Sequence, residues 1–245
     1  MATHLGRREI LGRLVHWLVA FSFTSLFPTR KAKAKNRRHN IHRGAPMKLP
    51  PPRTEGRISL EGTIQKRRTV RSFTSEPLTL EQISQLLWAA QGITENRGFK
   101  RAAPSAGALY PTDIYGVVGT GGVEGLTAGI YHYDPQDHGL SMVLGGDLRN
   151  AVAKAALSQM WVASPPLDLV ITAEYNRIAV KYGSRGVRYA MIEAGHIGQN
   201  IFLQAEALGL GAGIVGAFDD EDLIRVMKIP GTHEPLLIMP VGYKG

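Results

Sequence analysis

Three arginines fall within five residues in Arg67-Arg68-Thr69-Val70-Arg71-Ser72-Phe73, beside two hydroxyls. Guanidinium groups fork onto phosphate oxygens in bidentate fashion, and Thr69 adds a hydroxyl donor, so Arg67, Arg68, Thr69 and Arg71 can hold an anion. The alternative for such a cluster is a solvated basic turn. Two further segments favour the anion clamp. Ala103-Pro104-Ser105-Ala106-Gly107-Ala108-Leu109-Tyr110-Pro111 is a loop of small residues with free backbone groups, and Gly213-Ile214-Val215-Gly216-Ala217-Phe218 offers the same near the other end of the chain. One clamp and two bare-backbone surfaces suit a phosphorylated, flat ring with polar edges.

Other patterns lead nowhere. Gly211-Ala-Gly213-Ile-Val-Gly216 matches G-x-G-x-x-G, but a dinucleotide fingerprint follows a strand and opens a helix, and here a helix pattern comes first. Glu193 and His196 stand three apart, half of a di-iron carboxylate pattern with no second E-x-x-H in the domain, which reads as a solvated or interface pair. No G-x-S-x-G occurs, and the chain has no cysteine, so thiolate metal sites, disulfides and a cysteine nucleophile are excluded.

The element that must position these residues is the stretch from Tyr189 to Phe218. Ala190, Ala194, Ile197, Ile201, Ala205 and Leu208 recur at steps of three and four, which predicts a helix with a small-residue face, and Gly209 is placed to end it. Upstream, Ser59 to Lys66 reads as a short helix. Thr79-Leu80-Glu81-Gln82 is a capping box opening a helix that carries Ile83, Leu86, Leu87 and Ala90 and stops at Gly92. Ile114–Val118 reads as a strand, Ile130–Tyr133 and Leu140–Leu144 as a hairpin, and Leu148–Ala156 as a helix. Leu167–Ala173 and Pro235–Val241 read as buried strands, with Asp219–Lys228 as a short helix between the glycine stretch and the last strand. Strands and helices mix without a strict alternation, which predicts an α+β fold.

The net charge of +9 over 245 residues is a property of the N-terminus. Residues 1–53 carry 12 Lys/Arg against the single acid Glu9, whereas residues 54–245 carry 17 basic and 19 acidic side chains. A nearly neutral body argues against nucleic-acid binding. Arg7-Arg8, the moderately apolar run Leu14 to Phe27 and the small-x-small site Ala32-Lys33-Ala34 resemble a twin-arginine export signal over residues 1–34. A basic leader or an uncleaved membrane anchor are the alternatives. Residues 35–57, basic and proline-rich, are expected as a linker, which puts the start of the domain at residue 58.

Taken together, RRTVRSF, APSAGALYPTDIYG, YGSRGVRYAMIEAGHIGQNIFLQAEALGLGAGIVGAFDDEDL and PLLIMPVGY resemble the FMN-dependent nitroreductase superfamily over roughly residues 58–245. Within it PSAGALYP, R-x-x-R-Y and EAGH-x-x-QN are similar to the SagB-type branch, which includes azoline dehydrogenases of modified peptides. The resemblance implies an α+β homodimer, with a central mixed or antiparallel sheet flanked by helices and FMN at each subunit interface. It implies that Arg67, Arg68, Thr69 and Arg71 hold the FMN phosphate and ribityl chain, and that Pro104, Ser105 and Ala106 of the other subunit flank the ring. It implies that Ile214, Val215 and Gly216 aim backbone N–H groups at the flavin N5 and O4 edge, that the small-residue helix face is dimer core, and that Lys244 is a weaker phosphate candidate. A Lys-Tyr pair at a comparable place removes the ring proton in azoline dehydrogenases, which makes Lys181 and Tyr182 the catalytic candidates, with a loop lysine and a packing tyrosine as the alternative.

The expected function is hydride transfer between a donor, NAD(P)H among the possibilities, and a small or peptide-borne substrate. Export would leave reduced nicotinamide unavailable and would favour flavin chemistry outside the reductase cycle, such as oxygen-dependent or dehalogenating reactions. A membrane-tethered FMN-binding protein without turnover is the reading from another class, with residues 1–53 as the membrane contact.

Overall fold

The structure is a computed structural model that describes residues 46–95 and 98–245. The targeting segment expected over residues 1–34 lies outside the described residues. Seven strands form one sheet in the order β1-β4-β3-β2-β5-β7-β6, and every pairing between them is antiparallel. The strands are β1 (Met47–Lys48), β2 (Thr112–Val118), β3 (Gly129–Asp134), β4 (Gly139–Gly145), β5 (Leu167–Ala173), β6 (Gly211–Ala212) and β7 (Glu234–Gly242). The helices are α1 (Leu60–Lys66), α2 (Leu80–Gln91), α3 (Arg149–Ala155), α4 (Asn176–Tyr182), α5 (Arg185–Ala207) and α6 (Asp220–Met227).

The sheet separates two apolar cores. Side chains alternate across a strand, so Leu167, Leu169 and Ile171 of β5 join Leu86, Leu87, Ile197 and Ile201 of α2 and α5 on one side. Val170 of the same strand joins Tyr115, Val152, Leu223 and Met227 on the other, under α3 and α6. β5 is buried at all seven positions, as its unbroken apolar run predicts.

The capping box forms as read. Thr79 accepts from the Gln82 backbone N–H, and the Gln82 side chain accepts from that of Thr79. Gly209 ends α5 with φ +76, a conformation glycine adopts without a Cβ clash.

Three expectations are corrected. Residues 47–53 are part of the domain and not a linker: Met47 and Lys48 pair with β4, Leu49 is buried, and the Arg53 N–H donates to Gln85. Lys181 and Tyr182 end a helix, α4, where the sequence suggested a loop. The small-residue face of α5 is core of its own chain, with Ala190, Ala194, Ile197, Ile201 and Ala205 at 2% exposure or less, so it is not available to a second subunit. Small side chains there let α5 approach its own sheet. Met191 and Ile192, which point away from that face, are exposed.

Asp168 of β5 is the exception inside the sheet. It is fully buried, and neither carboxylate oxygen has a hydrogen-bond partner among the described residues. Burial pushes its pKa well above the ordinary carboxylate range, opposed by the Arg149 charge and aided by Asp147. The folded state therefore keeps a proton that the unfolded chain releases, and the group weakens the fold as pH rises above the unfolded value. Asp168→Asn should raise stability in urea unfolding, by a margin that widens as pH rises above about 4. A margin independent of pH would show that Asp168 is not held protonated.

Candidate active site

The residues singled out by the sequence gather at two places. The first is the outer edge of the sheet. Val70 donates its N–H to Ala212 of β6, Thr69 bridges the same residue, and Phe73 bridges Lys244, so the arginine segment runs along β6 and the C-terminus as an extra edge. There the Arg67 guanidinium lies over the Phe202 ring at 5.1 Å and that of Arg71 over the Trp161 ring at 5.7 Å. Arg68 folds back onto the carbonyls of Gln65 and Arg67. None of the three has a carboxylate partner among the described residues, so the aromatic rings orient the cations without neutralising them.

The backbone beside them is bare. A Cβ at Gly213 would meet the Trp161 ring at 2.7 Å and the Val70 carbonyl at 2.8 Å, so the chain passes there only as glycine. At Gly216 nothing stands within 4 Å of that position. Val215 departs from its expected role, because its N–H donates to the Ile238 carbonyl at 2.8 Å and is not free for a ligand. In an edge segment alternate amides face outward, and the N–H groups of Ile214 and Gly216 have no acceptor among the described residues. Lys244 reaches this edge, but its ammonium is paired with Glu206 at 2.8 Å. Three unneutralised guanidiniums beside outward amides and exposed glycine backbone fit the phosphate and polar ring edge of FMN.

The second place is the opposite end of the sheet, where β2 begins and β5 ends. The small-residue loop turns there through Gly107 at φ +64, and a Cβ on that glycine would stand 2.9 Å from the Tyr182 hydroxyl and 3.1 Å from Lys181 Nζ. The missing side chain thus lets loop and helix close together. Lys181 is exposed, its ammonium 5.4 Å from the Tyr182 ring centre, and that ring meets Tyr189 edge-on. Pro104 is exposed, Ser105 and Ala106 half-buried, and Ser105 Oγ accepts from the Tyr110 N–H.

Beneath the loop lies a carboxyl that the sequence placed at the surface. Glu193 is 1% exposed and accepts from Thr112 Oγ1 at 2.6 Å and Gln91 Nε2 at 3.0 Å. Burial pushes its pKa up, against hydrogen bonds from Ser105, Thr112 and Gln91 that pull it down. It is three residues after Ala190 and four before Ile197, so the helical spacing itself marks it as inward-facing. Neither Arg185 nor Arg188 reaches it; Arg185 bonds the Tyr189 hydroxyl instead. His196 is exposed, and no group of His, Asp and Glu among the described residues could hold a metal ion.

The nitroreductase family profile matches residues 64–243. The chain belongs to the nitroreductase family. It is thereby an oxidoreductase of a flavin-using family. It is 46% identical over 187 residues to a protein named for the nitroreductases in Methanocaldococcus jannaschii, covering 76% of this chain and 92% of that one. It resembles the microcin B17-processing protein McbC of Escherichia coli at 27% identity over 169 residues, 67% of this chain and 62% of McbC. A crystal structure named for the nitroreductases in Ralstonia eutropha superposes with a TM-score of 0.72 and 32% identity, covering 82% of this chain and 90% of that one.

Glu193→Ala should destabilise the protein by about 1–3 kcal/mol in urea unfolding, since Thr112 and Gln91 lose their buried acceptor. Glu193→Gln should cost less. Parent-like stability of both variants would show that the network does not hold the loop.

Proposed function

We propose that the protein is an FMN-dependent oxidoreductase of the SagB-type branch that acts as a homodimer on an azoline ring carried by a peptide or small molecule. The observation that carries the FMN assignment is the set of three guanidiniums without acid partners, set against the outward amides of Ile214 and Gly216. Bound there, FMN supplies a two-electron hydride acceptor. Arg67 and Arg71 hold the phosphate, and Ile214 and Gly216 direct amides at the polar ring edge, where fixed donors favour a reduced, anionic ring.

The separation of the two places supports the dimer. β5 spans seven residues, about 20 Å, and the arginine edge lies near its Leu167 end while Lys181 and the Pro104 loop lie beyond Ala173. One chain does not bring them together, and a second copy supplies the missing end. Leu60 and Ile64 of α1 and Met191 and Ile192 of α5 are exposed apolar side chains on two helices in contact, a surface suited to that copy.

Lys181 and Tyr182 favour the azoline reading over nitro reduction. Aromatising an azoline removes one hydride and one proton from the ring carbons. Lys181 Nζ is placed to take the proton, with the Tyr182 hydroxyl holding the reacting edge, and the Gly107 loop closes against both. Similarity to McbC, a peptide-processing protein, supports this substrate class. Residues 1–34 act in this reading as an export signal, and fractionation of expressing cells decides that directly: cytoplasmic protein of full length contradicts it.

Arg67→Ala with Arg71→Ala should weaken FMN binding at least ~100-fold by fluorescence titration, each change removing a contact worth roughly 1.5–3 kcal/mol. Retention equal to the parent removes the phosphate assignment. Lys181→Ala should slow anaerobic flavin bleaching by a thiazoline-bearing peptide while leaving FMN content intact; equal rates return Lys181 to a surface lysine.

A further inference from the structure

Thr112 and Asp113, neighbours at the start of β2, send their side chains to opposite faces of the sheet. Thr112 reaches Glu193 beneath the Pro104 loop. Asp113 enters a second polar cluster, on the α3 and α6 side. Its Oδ1 meets His132 Nε2 at 2.9 Å and its Oδ2 the Arg177 Nη1 at 2.7 Å. Arg177 Nε donates to Glu174 at 2.7 Å, and His233, bonded to the Tyr115 hydroxyl at 2.9 Å, stands 3.7 Å from Asp113 Oδ2. Burial would raise the Asp113 pKa, but the His132 hydrogen bond and the Arg177 charge more than offset it and hold it at about 2. Burial likewise opposes the Arg177 charge, and Asp113 and Glu174 overcome it. The pair is ionised throughout the working range.

We propose that Asp113, acting through Arg177, is a positioning residue that sets the last turn of α4 and so the place of Lys181 and Tyr182. The proposal rests on the reading that these two side chains meet the substrate. At seven residues α4 is too short to stand by itself. Its outer face packs against nothing, with Val180 84% exposed. Ile178, fully buried where a Cβ on Gly186 would come within 2.8 Å, and Arg177 fasten its first half, and the Tyr182 ring meets Tyr189 edge-on at its end. Lys181 follows Arg177 by four residues and lies on the same helix face, where like charges repel. Asp113 and Glu174 draw the guanidinium toward the sheet and leave the ammonium free to stand against Gly107. Without Asp113, Arg177 keeps only Glu174, the first turn of α4 loses its tie to β2, the last turn shifts with it, and the guanidinium moves closer to Lys181.

The test is trace acetylation of the full-length protein, without added flavin, by limiting acetic anhydride, with each lysine quantified by mass spectrometry. Asp113→Asn and Arg177→Gln should change the labelling rate of Lys181 several-fold, with exposed Lys48 and Lys228 unchanged as internal standards. Arg177→Lys, which keeps the charge but loses the fork, should lie between these variants and the parent. Parent-like labelling of Lys181 in variants whose circular dichroism is intact overturns the proposal. If Asp113→Asn does not fold, Arg177→Lys decides by the same criterion. A second arm measures anaerobic flavin bleaching by a thiazoline-bearing peptide. Asp113→Asn should slow it in the parent, and add nothing when Lys181 is already alanine; additive losses also overturn the proposal. Should Lys181→Ala leave bleaching unchanged, the catalytic reading fails, while the labelling still decides whether Asp113 positions α4.

Discussion

The antiparallel pairing of β2 with β5, in register from Thr112↔Ala173 to Val118↔Leu167, is the constraint on which the rest of the site depends. A slip by one residue would exchange the two faces of β2. Thr112 would then leave Glu193 for the α3 side, and Asp113 would bring its charge under α5. Because β5 is apolar on both faces, except for Asp168 and Thr172, the two cores penalise any such slip. The same register fixes where the chain leaves β5 for α4, and thus where Lys181 can stand. Polar networks on either side of this strand pair are embedded in packing that leaves them little freedom.

Much of this could be read along the chain. The α5 spacing, the capping box of α2 and the unbroken apolar run of β5 are local patterns with local causes, and all three formed. The arginine cluster and the two small-residue segments stood out because their composition is unusual for a packed domain. Their pairing with one another did not. Thr69 and Ala212 are far apart in sequence, and only the sheet edge brings them side by side. Val215 shows the limit well. Its position in a bare-backbone stretch suggested a free amide, but strand alternation gives that amide to Ile238 and leaves its neighbours free.

The misreadings share one physical origin, which is that type and spacing alone do not reveal a residue's partner. Glu193 reads as a surface charge until Thr112 and Gln91 meet it across the core. Helix α4 carries a single buried apolar side chain, Ile178, so it has no amphipathic stripe for periodicity to find; its anchors are an ion pair to β2 and the helix that follows. The Met47–Lys48 strand is two residues long inside a basic, proline-rich stretch and gains its place from β4 and not from its own composition. The small face of α5 suggested a neighbour, and the neighbours are α2 and the sheet of its own chain.

In the proposed dimer, the arginine edge of one chain and the Lys181 end of another complete a single FMN site. The most direct measurement is size-exclusion chromatography with light scattering and visible absorbance, on protein supplied with FMN. One species with the mass of a dimer is expected, carrying the flavin band at one FMN per chain. A monomer that retains stoichiometric FMN would contradict the shared site, and a dimer that elutes colourless would contradict the cofactor assignment.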